Sequence, residues 1–101
     1  MDEVKKKRIN SKRVGTAAEY RSMAIFEEAG YETMRSHRSW GTWDFVAWNA
    51  TSIAFVQVKT RDWPSGEEME AIKMATVPHN AAKIIHRWVT ARSTPDVRLV
   101  P

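Results

Sequence analysis

The segment Gly-Thr-Trp-Asp-Phe-Val-Ala-Trp-Asn-Ala-Thr-Ser-Ile-Ala-Phe-Val-Gln-Val-Lys-Thr-Arg, GTWDFVAWNATSIAFVQVKTR at residues 41–61, decides the fold. It reads as a strand over 43–48, a turn, and a second strand over 53–60. Side chains two apart share a face of a strand, so Asp44, Val46 and Trp48 point one way, as do Ile53, Phe55, Gln57 and Lys59. Opposed residues of an antiparallel hairpin also share a face. A four-residue connection, Asn49 to Ser52, pairs Trp48 with Ile53 and Val46 with Phe55. The same register sets Asp44 opposite Gln57. A two-residue Ala50-Thr51 turn keeps that parity and a three-residue turn breaks it; no Asn-Gly dipeptide selects between them.

Outward from the hairpin, residues 14–29 carry a helical stripe of Val14, Ala18, Ile25 and Ala29, widened by Phe26. Gly30 supplies the stop. Tyr31 to His37 reads as the first strand, and 37–41 as a loop. Trp63 to Gly66 is a second loop. There Ser65 and Glu68 form a capping box that opens a helix over about 66–75. Pro78 and Asn80 close that region. Residues 82–91 alternate as a fourth strand, Thr94-Pro95-Asp96 is a turn, and 97–100 is a short last strand. The order is α-β-β-β-α-β-β, an α/β domain with helices flanking a central mixed sheet.

The 101 residues suffice for one domain with a modest core. The absence of cysteine excludes a disulfide scaffold and a thiolate metal site. No apolar run approaches the roughly 18 residues of a membrane span, and no apolar segment follows the lysine-rich start to make a signal peptide. An intracellular, cytoplasmic location with no membrane partner is expected, with a phage-encoded origin left open. Asn49-Ala50-Thr51 matches the glycosylation sequon, which in such a location is chance. The net charge of +4 favours a polyanionic partner such as nucleic acid. Lys5, Lys6, Lys7, Arg8, Lys12 and Arg13 crowd the start, so residues 1–12 are expected to form a flexible basic arm ahead of a single domain over 13–101. A solvated arm can still bind phosphate.

Asp44, Gln57 and Lys59 have a layout that suits phosphodiester hydrolysis. That reaction needs a nucleophilic water and charge stabilisation on the phosphate and leaving oxygen, and a divalent cation held by oxygen ligands provides both. The two-residue step from Gln57 to Lys59 keeps an oxygen ligand and a lysine on one face. Each feature alone is common. An aspartate at a strand end is usually just polar, and Gln-x-Lys is an ordinary surface pair.

The chain resembles the PD-(D/E)XK nuclease superfamily, and within it the archaeal-type Holliday junction resolvases and their phage relatives. The resemblance runs from about Lys12 to Val100 and rests on five features in order. They are Arg13-Val14-Gly15-Thr16-Ala17-Ala18-Glu19 on the first helix, Gly30-Tyr31 at its end, Arg35-Ser36 on the first strand, Trp43-Asp44, and Gln57-Val58-Lys59. It implies a restriction-endonuclease-like fold and a metal-dependent endonuclease making paired symmetric nicks in four-way DNA junctions as a homodimer. It further implies that Glu19, Asp44, the Gln57 side-chain carbonyl and the Val58 backbone carbonyl bind Mg²⁺, with Mn²⁺ able to substitute, and that Lys59 serves the water or the phosphate. Arg13 and Arg35 would contact DNA, as would Ser36 or Ser39, between which the sequence does not choose. Arg38 and Arg61 are added as positive charges near the site.

The family usually carries Glu where this chain has Gln57. An amide oxygen can coordinate a hard cation but brings no charge, so Glu19 must compensate. Glu19 has a competing reading as the closing residue of a Thr16-x-x-Glu19 capping box. Trp40 and Trp43 flank the site, and Trp40 is the one placed to stack on an unpaired base. Trp48 and Trp88 read as core or interface, the latter as a candidate for an apolar dimer patch on the last strands. The three histidines lack ligand spacing, although His37 is close to Asp44. Two rivals stand beside the resolvase: a phage or mobile-element endonuclease on flap, single-stranded or duplex DNA, and a non-catalytic DNA-binding module on a degenerate nuclease fold, which Gln57 favours.

Overall fold

A computed structural model describes the backbone of residues 2–40, 42–91 and 93–101, and the side chains of 13–36, 42–91 and 93–101. Seven elements follow the expected order: α1 (Asp2–Glu28), β1 (Glu32–Trp40), β2 (Trp43–Trp48), β3 (Ile53–Thr60), α2 (Gly66–Met74), β4 (Ala81–Trp88) and β5 (Asp96–Val100). The five strands form one sheet in the order β1-β2-β3-β4-β5. Pairing is antiparallel except between β3 and β4, which run parallel and are joined by α2. A parallel pair needs such a crossover.

The hairpin register is the expected one, with Trp48 against Ile53 and Val46 against Phe55. Asn49 fixes the turn. Its N–H donates to the Ser52 carbonyl at 2.9 Å, and its side-chain oxygen accepts the N–H groups of Thr51 and Ser52 at 3.0 and 2.8 Å. An Asx turn therefore does what an Asn-Gly dipeptide would have done.

Alternation along β3 splits the core into two layers. Ala54 and Val56 join Phe45, Ala47 and Met23 under α1, while Phe55 packs with the cluster of Ile72, Ile85, Trp43 and Val100 under α2. Gly30 ends α1 at φ +94°. The Tyr31 and Gly30 N–H groups reach back to the Phe26 and Glu27 carbonyls at 3.0 Å each, a Schellman closure that only glycine enters without strain. The capping box of Ser65 and Glu68 opens α2 as expected.

Two element boundaries and one residue assignment differ most from the sequence reading, and β4 ends at Trp88 rather than at 91. α1 starts at Asp2 rather than at 14, so the basic stretch lies on the helix. Charge patterning speaks to solvation, whereas Lys and Arg are good helix formers. This places Thr16 in the helix interior and removes the capping-box reading of Glu19. β1 extends to Trp40 through an irregularity in its register with β2 after Arg35. Trp88 is 5% exposed, with its indole N–H donating to the Ser22 hydroxyl under α1 at 2.8 Å. It is a core residue and is unavailable to a surface patch. Among the described residues, no helix is long and apolar enough to cross a membrane.

Candidate active site

The site forms where the ladder between β2 and β3 ends. Phe45 and Val56 make the last pair in register. Beyond them Asp44 leaves the ladder pattern, and its carboxylate Oδ2 accepts the Val58 N–H at 2.7 Å. The hairpin register is the one from which the sequence set Asp44 opposite Gln57; the carboxylate itself binds the residue between Gln57 and Lys59, because a short carboxylate at a strand end can replace a missing backbone acceptor.

Asp44 is half-buried, and burial pushes its carboxyl up to about 6. The Glu19 charge adds to the rise. The Val58 N–H bond and the Arg35 and Lys59 charges oppose it. Four groups from three elements thus act on this one carboxylate: Glu19 from α1, Arg35 from β1, and Val58 and Lys59 from β3.

Glu19 is engaged by Arg35, whose Nε donates to Oε1 at 2.8 Å. Both side chains are partly shielded, and Arg35 also lies over the Tyr20 ring at 5.2 Å. The hydrogen bond to Glu19 is the largest reason the guanidinium is held charged even more firmly than usual. Arg35 is therefore committed to Glu19 in this state rather than offered to a ligand.

Gln57 holds the most telling atom. Its side-chain oxygen Oε1 is buried and has no hydrogen-bond partner. Buried acceptors are nearly always satisfied, and an orphan calls for an unplaced water or ion. A hard cation taking oxygen ligands would satisfy it. The donor set of two carboxylates and an amide oxygen suits such an ion. Among the described residues no cluster of three or more His, Cys, Asp or Glu exists, so a cation here would rely on the amide.

Lys59 is anchored by a residue the sequence reading assigned only to capping. Glu68 accepts the Ser65 N–H through Oε1 and the Lys59 ammonium through Oε2, both at 3.0 Å. The Ser65 backbone bond is the main cause, and Lys59 the second, of its lowered pKa. Nothing in the local pattern points from α2 to β3; only the packing of the crossover helix brings Glu68 over Lys59.

Of the remaining residues singled out, Ser36 is half-buried on β1. The side chains of His37, Arg38, Ser39 and Trp40 lie outside the described residues. Trp43 is buried against Phe55, with ring centroids 5.9 Å apart, and is core. Arg13 and Arg61 do not join Arg35; they line a separate cleft.

A five-stranded mixed sheet flanked by two helices, with an aspartate and an oxygen-x-lysine pair at the end of its central hairpin, is a restriction-endonuclease-like architecture. The chain is similar in structure to a Holliday junction resolvase from the archaeal hyperthermophile Archaeoglobus fulgidus, with a TM-score of 0.55 over 86% of this chain and 71% of that one. The two sequences are 22% identical, so the likeness is one of fold. No protein-family model matches the chain, and no curated protein sequence does.

Proposed function

We infer that the protein is a metal-dependent endonuclease acting on branched DNA, most specifically on four-way junctions. The observation that carries this reading is the unpartnered Gln57 oxygen on β3, next in sequence to Val58, whose N–H the desolvated Asp44 carboxyl accepts. Both groups are poorly satisfied without a cation, and both become ligands if one is present. The fold shared with a Holliday junction resolvase supports the choice of substrate.

Glu19, Asp44, Gln57 Oε1 and the Val58 carbonyl would hold Mg²⁺, or Mn²⁺ in its place. The ion would polarise a water and neutralise charge at the scissile phosphate. Asp44 would bind in its ionised form, which the Arg35 and Lys59 charges favour. Arg35 fixes the orientation of the Glu19 carboxylate through its 2.8 Å bond. An ammonium has three donors. Lys59 spends one on Glu68, leaving two for the attacking water and a phosphate oxygen.

Resolution of a junction requires two symmetric nicks, so a one-site chain would act as a homodimer. β5 is an edge strand on which Val97 and Leu99 are exposed, at 58% and 69%. It is the apolar surface we assign to the second copy.

The deciding experiment is cleavage of a labelled four-way junction with Mg²⁺ or Mn²⁺, alongside flap and duplex DNA. Paired nicks in the junction, lost in Asp44→Asn and Lys59→Ala, are expected. Preference for flap or duplex DNA would assign a different nuclease substrate. A specific observation favours a second reading: Gln57 is uncharged and Glu19 is already paired to Arg35. Tight junction binding without nicks in either metal would select a non-catalytic DNA-binding module.

A further inference from the structure

A cleft of about 970 Å³ lies between α1 and the ends of β3 and β4. Its lining includes Arg13 and Arg21 from α1, and Arg61 and Asp62 just past β3. Three guanidinium groups thus converge with one carboxylate. Thr60 and Trp88 are paired in register, and Trp88 bonds to Ser22 of α1, so the cleft opens on the α1 side of the sheet. Lys59, held by α2, lies on the other side.

Three costs meet in this cleft. Arg21 stacks its guanidinium 4.7 Å from the centre of the Trp88 ring, and its Nε is buried without a hydrogen-bond partner. A desolvated charged donor left unpaired is expensive. Arg61 is the only non-glycine among the described residues at positive φ, 71°. The Asp62 N–H reaches over it to the Thr60 carbonyl at 2.9 Å, which makes a γ-turn of the rare, strained hand. Its own N–H is pinned to the Trp88 carbonyl at 2.9 Å. Like charges lining one cleft add the third cost. An orphan donor and gathered like charge beside a strained turn point to a ligand. An anion with several acceptor oxygens would satisfy the donor and offset the charge.

We propose that the Arg13, Arg21 and Arg61 cleft is a phosphate-binding site for the nucleic-acid backbone, separate from the metal-ligand residues. The choice of a backbone phosphate over a free anion rests on the nuclease reading of the neighbouring site. Arg61 lies two residues beyond Lys59 on one continuous chain, and Arg21 two residues beyond Glu19. A strand passing over the ends of β3 and β4 would meet both sites. Arg21 would stack on Trp88 while its Nε donates to a phosphate oxygen, and Arg13 and Arg61 would close from either side.

The test is DNA binding by the full chain without divalent metal, measured across a salt series, so that it does not depend on cleavage. Arg61→Gly and Arg21→Gln are each expected to weaken junction binding about tenfold and to lower the salt slope by about one. Arg21→Lys should keep the slope, since it keeps the charge. Arg61→Gly should retain or raise thermal stability, because glycine accepts the positive φ, which separates lost binding from lost folding. Unchanged affinity and slope in Arg61→Gly and Arg21→Gln would overturn the site. Inorganic phosphate competing as well as an oligonucleotide of equal phosphate content would overturn the assignment to a nucleic-acid backbone. A protein that never nicks DNA yet shows these slopes would keep the cleft and lose the nuclease reading.

Discussion

The Asp44 carboxylate accepts the backbone N–H of Val58 at 2.7 Å, which ties the aspartate of β2 to the centre of Gln57-Val58-Lys59 on β3. One hydrogen bond thereby sets the spacing of a ligand, an amide oxygen and a lysine. It is retained whether Asp44 is charged or not, since a neutral carboxyl still has an acceptor oxygen.

Asp44→Asn should separate function from stability. The native carboxyl is pushed up to about 6 by burial, so holding it ionised at neutral pH costs folding energy. The amide keeps an acceptor for Val58 and carries no charge. Without divalent metal at pH 7.5 the variant should be more stable by about 1 kcal/mol, or about 4–8 °C in Tm. Nicking should be abolished. A lower Tm with activity intact would show that Asp44 is structural.

Gln57 gives opposite predictions for two substitutions. Gln57→Leu removes the orphan acceptor and should preserve metal-free stability while losing the stabilisation that Mn²⁺ confers. Gln57→Glu adds a third carboxylate to the proposed ligand set. It should lower metal-free stability at neutral pH and tighten the metal by roughly 10- to 100-fold, as added ligand charge does. Thermal melts over a Mn²⁺ titration measure both. Identical metal responses in all three proteins would remove Gln57 from the ligand set.

Glu68 serves two partners through two oxygens. Glu68→Ala should cost about 1 kcal/mol of stability through the lost cap and also slow cleavage. Glu68→Gln should keep most of the cap, since its amide oxygen can accept the Ser65 N–H, but hold Lys59 less firmly. A drop in kcat at saturating junction, with stability close to native, is the expected signature of Glu68→Gln. Native kcat in that variant would leave Glu68 as a cap alone.

Acid stability should be governed by His86. Burial lowers its pKa from 6.5 to about 4, and its ring accepts from or donates to the Ser22 hydroxyl at 3.0 Å beneath Phe26. Between those values the unfolded chain binds the proton and the folded chain does not. Stability from this group is full above about 6.5 and is lost as pH falls toward 4, by on the order of 3 kcal/mol. Asp44 works the other way: its folded pKa is raised, so its cost appears as pH rises from 3.8 through about 6. Denaturation curves in the Asp44→Asn background should therefore fall more steeply with acid than the native ones. A His86→Leu variant should flatten them.

Dimerisation through β5 predicts that Val97→Lys with Leu99→Lys yields a monomer with its single-site fold intact. Both residues are exposed in the single chain, so charge there should change stability by less than about 0.5 kcal/mol. Analytical ultracentrifugation of both proteins at micromolar concentration measures this. A native monomer, or an unchanged double-variant dimer, would place the interface elsewhere or remove it.

The pairing of Trp48 with Ile53 and of Val46 with Phe55 was legible in the sequence because a period of two and a buried face leave one register. Gly30, Ser65 and the element order were legible for a similar reason: turns and caps are local chemistry. The start of α1 was not, since six basic residues say how a segment is solvated and little about its backbone. The site was half legible. Asp44, Gln57 and Lys59 lie on a hairpin whose partners are near in sequence, so local rules place them together. That Arg35 clamps Glu19, that Glu68 holds Lys59, and that Arg21 lies over Trp88 while the Arg61 N–H binds the Trp88 carbonyl depend on how the elements pack across the sheet. Those contacts join residues 9 to 67 positions apart, and no local periodicity encodes them. The sequence by itself determined the order of the strands and the register of the central hairpin. Only tertiary packing decided which charge faces which, because an ion pair is set by the distance between elements.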